Sequence, residues 1–263
     1  MSSWIIAKNR PLKSKSSVTK YHDTSLYPDV FSIYLNYLGA YIYSQKMGET
    51  CNLWDHDNII RNTLNFNPQV KLLREKQDGV VPVKNSEYKT FVDPMKLKDI
   101  QKIATGLISY NNNFNQTVIK YLAISGIKSV FDFGIQILKD PAGPDINLLK
   151  KYASLIREYQ TKSKKAILNI YVLSDNYNTV VQFQTYCDPS WKITSLCKNP
   201  PKDNTEEFVK AMAEVQILSV VPALILDFSR PLDRFIYLMQ RNAKLDYFAE
   251  INSKEWFLLD YLG

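Results

Sequence analysis

The first strongly patterned stretch of the chain runs over residues 29–47, where Val30, Ile33, Tyr34, Tyr37, Leu38, Tyr41 and Ile42 recur at helical spacing and Gly48 ends the run. That pattern predicts an amphipathic helix with a glycine stop. Residues 50–54 predict a short strand with Asp55-His56-Asp57 as its polar exit, and a helix leading into a strand suggests α/β layering. Residues 1–27 are polar and Ser/Lys-rich without a sustained period, so they read as an irregular lead-in. From 58 to 93 short apolar pieces are punctuated by Asn65, Asn67, Pro68, Gly79 and Pro82, and the stretch is expected to be loop-rich. Met95, Ile100, Ile103, Ala104, Leu107 and Ile108 restore a helical face, and a second helical piece at 114–124 follows Asn111-Asn112-Asn113.

Beyond residue 126 the pattern sharpens: apolar strands at 129–138, 166–173, 191–196 and 223–228 alternate with helices. Asp145 follows Pro144 at a cap position and opens the first helix, with Ile146, Leu149, Tyr152, Leu155, Ile156 and Tyr159 on one face. A short helix follows at 179–186, and Asn204 with Glu207 three residues later has the spacing of a capping box ahead of a helix over 208–220. Ser229-Arg230-Pro231 opens the last helix, 232–241. The order β-α-β-α-β-α-β-α predicts a parallel sheet covered by helices, with ligands at the carboxyl ends of the strands. Three strand exits would line that edge: Lys139-Asp140, Ser174-Asp175 and Ser229-Arg230. Within VFDFGIQILKD (130–140), strand alternation puts Gln136 on one face with Gly134 and Leu138. A buried amide needs partners for its donors and its acceptor, so Gln136 is expected to face a polar cleft or an internal network.

Composition narrows the classes. With 263 residues, 45 % of them hydrophobic, the chain can bury a sizeable core. Thirty-three Lys and Arg against 26 Asp and Glu leave a net charge of +7, spread along the whole sequence. This favours an anionic partner: the diphosphate of a nucleotide sugar, an anionic lipid or nucleic acid. No zinc-finger spacing, arginine-rich tract or RNA-binding aromatic motif is present, which places nucleic acid last. Cys51, Cys187 and Cys197 are an odd, widely spaced set and are expected to be reduced, a Cys187–Cys197 pairing staying open. The N-terminal apolar run is too short for a signal peptide and no stretch of about 18 apolar residues occurs, so a soluble, cytoplasmic protein is expected.

His22 and His56 form no spaced metal motif and no Ser-His-Asp arrangement, and neither a P-loop nor a dinucleotide-binding glycine turn is found. Metal catalysis, ATP hydrolysis and Rossmann redox chemistry therefore lack support. The junction Ser229-Arg230-Pro231 is the best anion seat, because the first N–H groups of a helix have no partner within it and its dipole makes that end positive. Pro231 suits the first helical turn, where its missing N–H costs nothing. Ser229 is placed either to cap the helix or to bond a phosphate oxygen; Arg230 and Arg234 add charge, and Arg234 is equally placed for solvent or an ion pair. Asp175 is placed to orient a ribose or a base edge, or to serve an ordinary turn.

The segments FDFGIQILKD, IYVLSDN, AEVQILSVVPALILDFS and SRPLDRFIYLMQ, in that order across roughly 129–241, resemble the fucosyltransferases of the α1,6- and protein-O-fucosyltransferase type, whose architecture is GT-B-like. YLNYLGAYIYSQKMGETCNLWD matches that family's helix and following strand, whereas SLYPDVFS stands where the family has a glycine-rich turn. The resemblance implies an α/β, GT-B-like protein with two Rossmann-like lobes: an acceptor-side domain at 28–125 and a nucleotide-sugar domain at 126–263. It implies transfer of a sugar, typically fucose from GDP-fucose, to a glycan or protein acceptor, without a metal and with no cofactor beyond the donor substrate. Ser229 would contact the donor phosphate, Asp175 would lie near the nucleoside, and Arg234 would buttress the phosphate-binding helix.

The family's His-x-Arg falls on Gln136 and Leu138. A leucine cannot neutralise a departing diphosphate, and losing one such group costs about 3–4 kcal/mol of transition-state stabilisation. Lys139, Arg230 and Arg234 are the cations that remain, although Lys lacks the bidentate fork. The expected donor-binding set is Gln136, Lys139, Asp175, Ser229, Arg230 and Arg234. No catalytic base is assigned; Asp55, His56 and Asp57 are the acceptor-side candidates. The missing arginine also gives a second expectation, a non-catalytic descendant that keeps the fold to bind a nucleotide, glycan or protein.

Overall fold

The computed structural model describes residues 20–23, 29–75, 81–83, 95–127, 130–137, 145–199, 201–241 and 247–250. Two parallel sheets organise the chain. The N-terminal sheet contains β1 (Lys20–Asp23), β2 (Cys51–Trp54), β3 (Val70–Leu73) and β4 (Val81–Pro82) in the order β3-β2-β1-β4. Its helices are α1 (Val30–Met47), α2 (Ile59–Thr63), α3 (Leu97–Leu107) and α4 (Asn112–Ile124). The C-terminal sheet contains β5 (Phe133–Gln136), β6 (Leu168–Leu173), β7 (Trp191–Thr194), β8 (Ala223–Leu226) and β9 (Tyr247–Glu250) in the order β7-β6-β5-β8-β9. Helices α5 (Ile146–Ser163), α6 (Tyr177–Gln184), α7 (Asn204–Leu218) and α8 (Pro231–Leu238) connect its strands. This is the α/β, two-lobed architecture that the alternation and the resemblance imply.

Several elements differ from the sequence expectation, each for a local reason. The stretch 1–27 holds β1, which pairs with both β2 and β4; it carries no apolar alternation, and His22 and Asp23 are buried although polar. The loop-rich stretch 58–93 holds α2, β3 and β4, each too short to register a period. Helix α2 is held by a preceding strand exit, since the buried Asp55 carboxylate accepts from Ile60 N at 3.2 Å and Arg61 N at 2.8 Å. The capping box of α7 sits one residue early: Asp203 accepts from Glu206 N at 2.8 Å and Glu206 accepts in return from Lys202 N at 2.7 Å. β9 completes the sheet as a fifth strand from a stretch with no sequence assignment.

The strands of the C-terminal sheet are apolar on both faces because helices cover both. Phe133, Ile135, Ile170, Val172 and Ile225 pack with α5 and α6, while Tyr171, Leu224 and Leu226 belong to a larger core. That larger core runs without a break into the N-terminal lobe: Phe235 of α8 stacks on Tyr34 at 5.2 Å and meets Phe31 at 5.6 Å. Gln101 Nε2 of α3 donates to the Tyr237 carbonyl at 3.1 Å and ties the same helix from another side. Gly134 makes the central layer possible, since a Cβ there would fall on Leu218 Cδ2 and lie 2.9 Å from Leu224 Cδ2. All three cysteines are free thiols. Among the described residues no helix is long and apolar enough to cross a membrane.

Candidate functional site

The strand order places the site. From β5 the chain steps outward through β6 to β7, then returns to β8 on the other flank of β5. Connections leaving a strand pair in opposite directions open a crevice at their carboxyl ends, the usual ligand position in a parallel sheet. In this sheet the topology puts that crevice between Gln136 at the end of β5 and the segment Asp227-Phe228-Ser229-Arg230 that leads from β8 into α8.

The polar groups at this junction form a chain of contacts. Gln136 is only 3 % exposed, and its amide nitrogen donates to both oxygens of Asp233; the opposite amide orientation would set oxygen against oxygen. Asp233, fully buried one turn into α8, also accepts from Asp227 N at 2.6 Å. Burial pushes the Asp233 carboxyl well above its ordinary range, the Asp227 charge adds to the rise, and the Asp227 N–H, Arg230 and Arg234 oppose it. Asp227 is 8 % exposed and accepts through Oδ1 from Ser229 N at 3.0 Å and Ser229 Oγ at 2.6 Å. Its Oδ2 stands 3.7 Å from Arg230 Nε. Tyr152 of α5 has its hydroxyl pKa raised, by burial first and then by the charges of Asp233 and Asp227.

The expected site residues therefore separate. Gln136, Ser229 and Arg230 converge on the crevice; Gln136 is buried in a polar network, as its place in an apolar strand demands. Ser229 is exposed and bonds to Asp227, while the cap position of α8 belongs to Arg230, which makes no side-chain capping bond. Arg234 is 1 % exposed, so it stands behind the helix terminus rather than in solvent. Asp175 is exposed at the end of β6, one strand from the crevice, beside Asn176, which caps α6 through Asn178 N at 2.8 Å. Lys139 and Leu138 lie outside the described residues. Of the acceptor-side candidates, Asp55 is committed to capping α2, with burial raising its pKa. His56 pairs with Asp57 at 2.8 Å on an exposed turn.

Sequence reasoning missed Asp227 and Asp233. The signal was present: an acid just after the buried run ALIL, and a second acid one turn before Ile236 on the same side of the helix. It also missed a second wall. Helices α1, α2 and α7 all begin on the carboxyl side of their sheets, and their N-terminal halves line an open cavity of about 560 Å³ with Phe31, Ile59, Phe208 and Ala211 beside Asp29 and Glu207. Asp29 is spent as the cap of α1, bonding Phe31 N at 3.0 Å and Ser32 N at 2.9 Å. Glu207 is exposed at the cavity. Phe31 links this wall to α8 through its contact with Phe235.

Comparison with solved structures matches both lobes at once. NodZ, an α-1,6-fucosyltransferase soaked with GDP-fucose, superposes with a TM-score of 0.55 over 84 % of this chain and 91 % of its own, at 9 % identity. The chain has a fucosyltransferase-like fold. A variant of Arabidopsis thaliana FUT1 in complex with GDP gives a TM-score of 0.60 at 11 % identity, over 87 % of this chain and 70 % of that one. POFUT1 in complex with GDP gives 0.51 at 7 % identity, over 90 % and 99 %. No family model matches the sequence, and a search of curated proteins finds no match. The fucosyltransferase-like fold is thus carried by a divergent sequence, and the GT-B-like, two-lobed expectation stands.

Proposed function

We propose that the crevice between β5 and β8 binds a nucleotide sugar and that the chain transfers the sugar to a glycan or protein acceptor held in the cavity between α1, α2 and α7. One observation carries this reading: the switch point of the C-terminal sheet opens at the terminus of α8 in a fold whose solved examples include proteins in complex with GDP and GDP-fucose. The free N–H groups of α8 and the exposed Arg230 suit a diphosphate. Asp175 stands at the neighbouring strand end, where a nucleoside would extend. The apolar, aromatic cavity with Glu207 at its edge suits a sugar ring and offers a carboxylate to accept a proton from an acceptor hydroxyl. The nucleotide sugar enters as substrate, and the reading calls for no cofactor. GDP-fucose is the donor to test first.

A second reading, a binding protein without transfer activity, is favoured by Asp227 and Asp233. Asp227 places a carboxylate where the departing diphosphate would need positive charge, with Asp233, held toward its neutral form by burial, directly behind it. Calorimetric titration with GDP, GDP-fucose, UDP and UDP-sugars, with Ser229→Ala and Arg230→Ala as controls, separates these cases from an empty fold. Saturable binding of one donor, weakened in both variants, supports the site. Release of free nucleotide on adding acceptor glycans then marks transfer, and binding without release marks the second reading. Flat titrations across the panel refute the donor site and leave a non-catalytic fold that binds a glycan or a protein.

A further inference from the structure

The donors that the crevice would offer an anion are already turned toward the protein's own carboxylates. Asp227 Oδ1 takes both hydrogen-bond donors of Ser229, the backbone N–H at 3.0 Å and the hydroxyl at 2.6 Å. Asp227 Oδ2 stands 3.7 Å from Arg230 Nε, the exposed cation of the junction. The Gln136 amide and the Asp227 N–H point to Asp233. An incoming phosphate thus meets a like charge that is 8 % exposed, where screening by water is weak.

Resting on the reading that the crevice takes a nucleotide sugar, we propose that Asp227 is an internal anion filling the phosphate seat. A diphosphate binds only after the Asp227 side chain has rotated away and released Ser229 and Arg230. Asp227 therefore sets donor affinity by opposing it. The two contacts it makes with Ser229 span only two residues, so their release calls for no movement of the sheet. Asp233 is fixed differently, by full burial and by bonds to two separate elements, and stays in place.

The test is the affinity of GDP and GDP-fucose for the wild type, Asp227→Asn and Asp227→Ser, each checked for a cooperative thermal transition. Asn keeps an acceptor for Ser229 N and removes the charge; Ser removes the charge with less bulk and serves if the Asn variant does not fold. Removing a like charge at this distance is expected to tighten binding roughly tenfold or more, with the gain shrinking as salt rises. Glu158→Gln, an exposed charge removal on α5 beside Lys162, is expected to leave affinity unchanged. Equal or weaker binding by both Asp227 variants, with the wild type binding normally, overturns the internal-anion assignment and leaves the nucleotide-sugar reading intact. Absence of binding in the wild type and in both variants overturns the two together.

Discussion

Glu214 offers a test of how the larger core is built. It lies 4 % exposed on the side of α7 that meets β6, where the Tyr171 hydroxyl donates to Oε1 at 3.1 Å. Lys210, one turn earlier and 8 % exposed, attracts its charge, but burial outweighs both contacts and pushes the carboxyl from 4.5 up to about 7. The unfolded chain loses this proton near pH 4.5, whereas the folded protein keeps it until about pH 7. The stabilising contribution is therefore complete below pH 4.5 and is lost as pH rises through 7. A displacement of that size corresponds to roughly 3 kcal/mol, of which about 2–3 kcal/mol falls between pH 5 and pH 8. Glu214→Gln keeps an acceptor for Tyr171 and cannot ionise. Urea unfolding of both proteins at pH 5 and pH 8 cancels every other titration in the difference. The variant is expected to gain about 2–3 kcal/mol on the wild type across that interval. Parallel pH dependences would show that Glu214 is ionised or solvated in the fold, and would refute the closed packing of α7 on β6.

Two further outcomes test the architecture around the site. Gly134→Ala places a methyl group against Leu218 and Leu224; overpacking of this kind is expected to cost about 1–3 kcal/mol in chemical denaturation and to widen the crevice beside Gln136. Phe235→Ala removes the ring shared by Tyr34 and Phe31. It is expected to cost about 3–5 kcal/mol and to lower one common melting transition, since the core is continuous. Two separated transitions in calorimetry would contradict a shared core.

Much of the C-terminal lobe was legible because strands covered on both faces are continuous apolar runs, and LNIYVL and ALIL read as such. The N-terminal lobe was less legible because its strands span only two to four residues and β1 buries His22 and Asp23 in place of apolar side chains. Gln136 was the informative site residue: an amide in an apolar strand had to face something polar, and it faces Asp233. What a linear reading could not supply was the partner of each group. Ser229 looked like a helix cap or a phosphate ligand, and its partner, Asp227, lies two residues back, just beyond a strand that ends in the apolar run ALIL. Asp233 drew no reading at all, since an acid in a first helical turn is an ordinary complement to the helix dipole. Its burial goes with its partners, the Gln136 amide of β5 and the Asp227 N–H beyond β8, a long-range arrangement that no local pattern encodes. The resemblance to fucosyltransferases rested on the order of segments, and order survives in the structure where identity has fallen to between 7 and 11 % in the solved examples compared.

The measurement that bears most directly on the account is a crystal structure of the protein soaked with GDP-fucose. The diphosphate is expected at the first turn of α8, within reach of the Ser229 and Arg230 donors, with the nucleoside toward Asp175 and the sugar directed at the cavity beside Phe31 and Glu207. An unoccupied crevice at saturating ligand, or a nucleotide bound elsewhere, would contradict the claim that the switch point of the C-terminal sheet is the donor site.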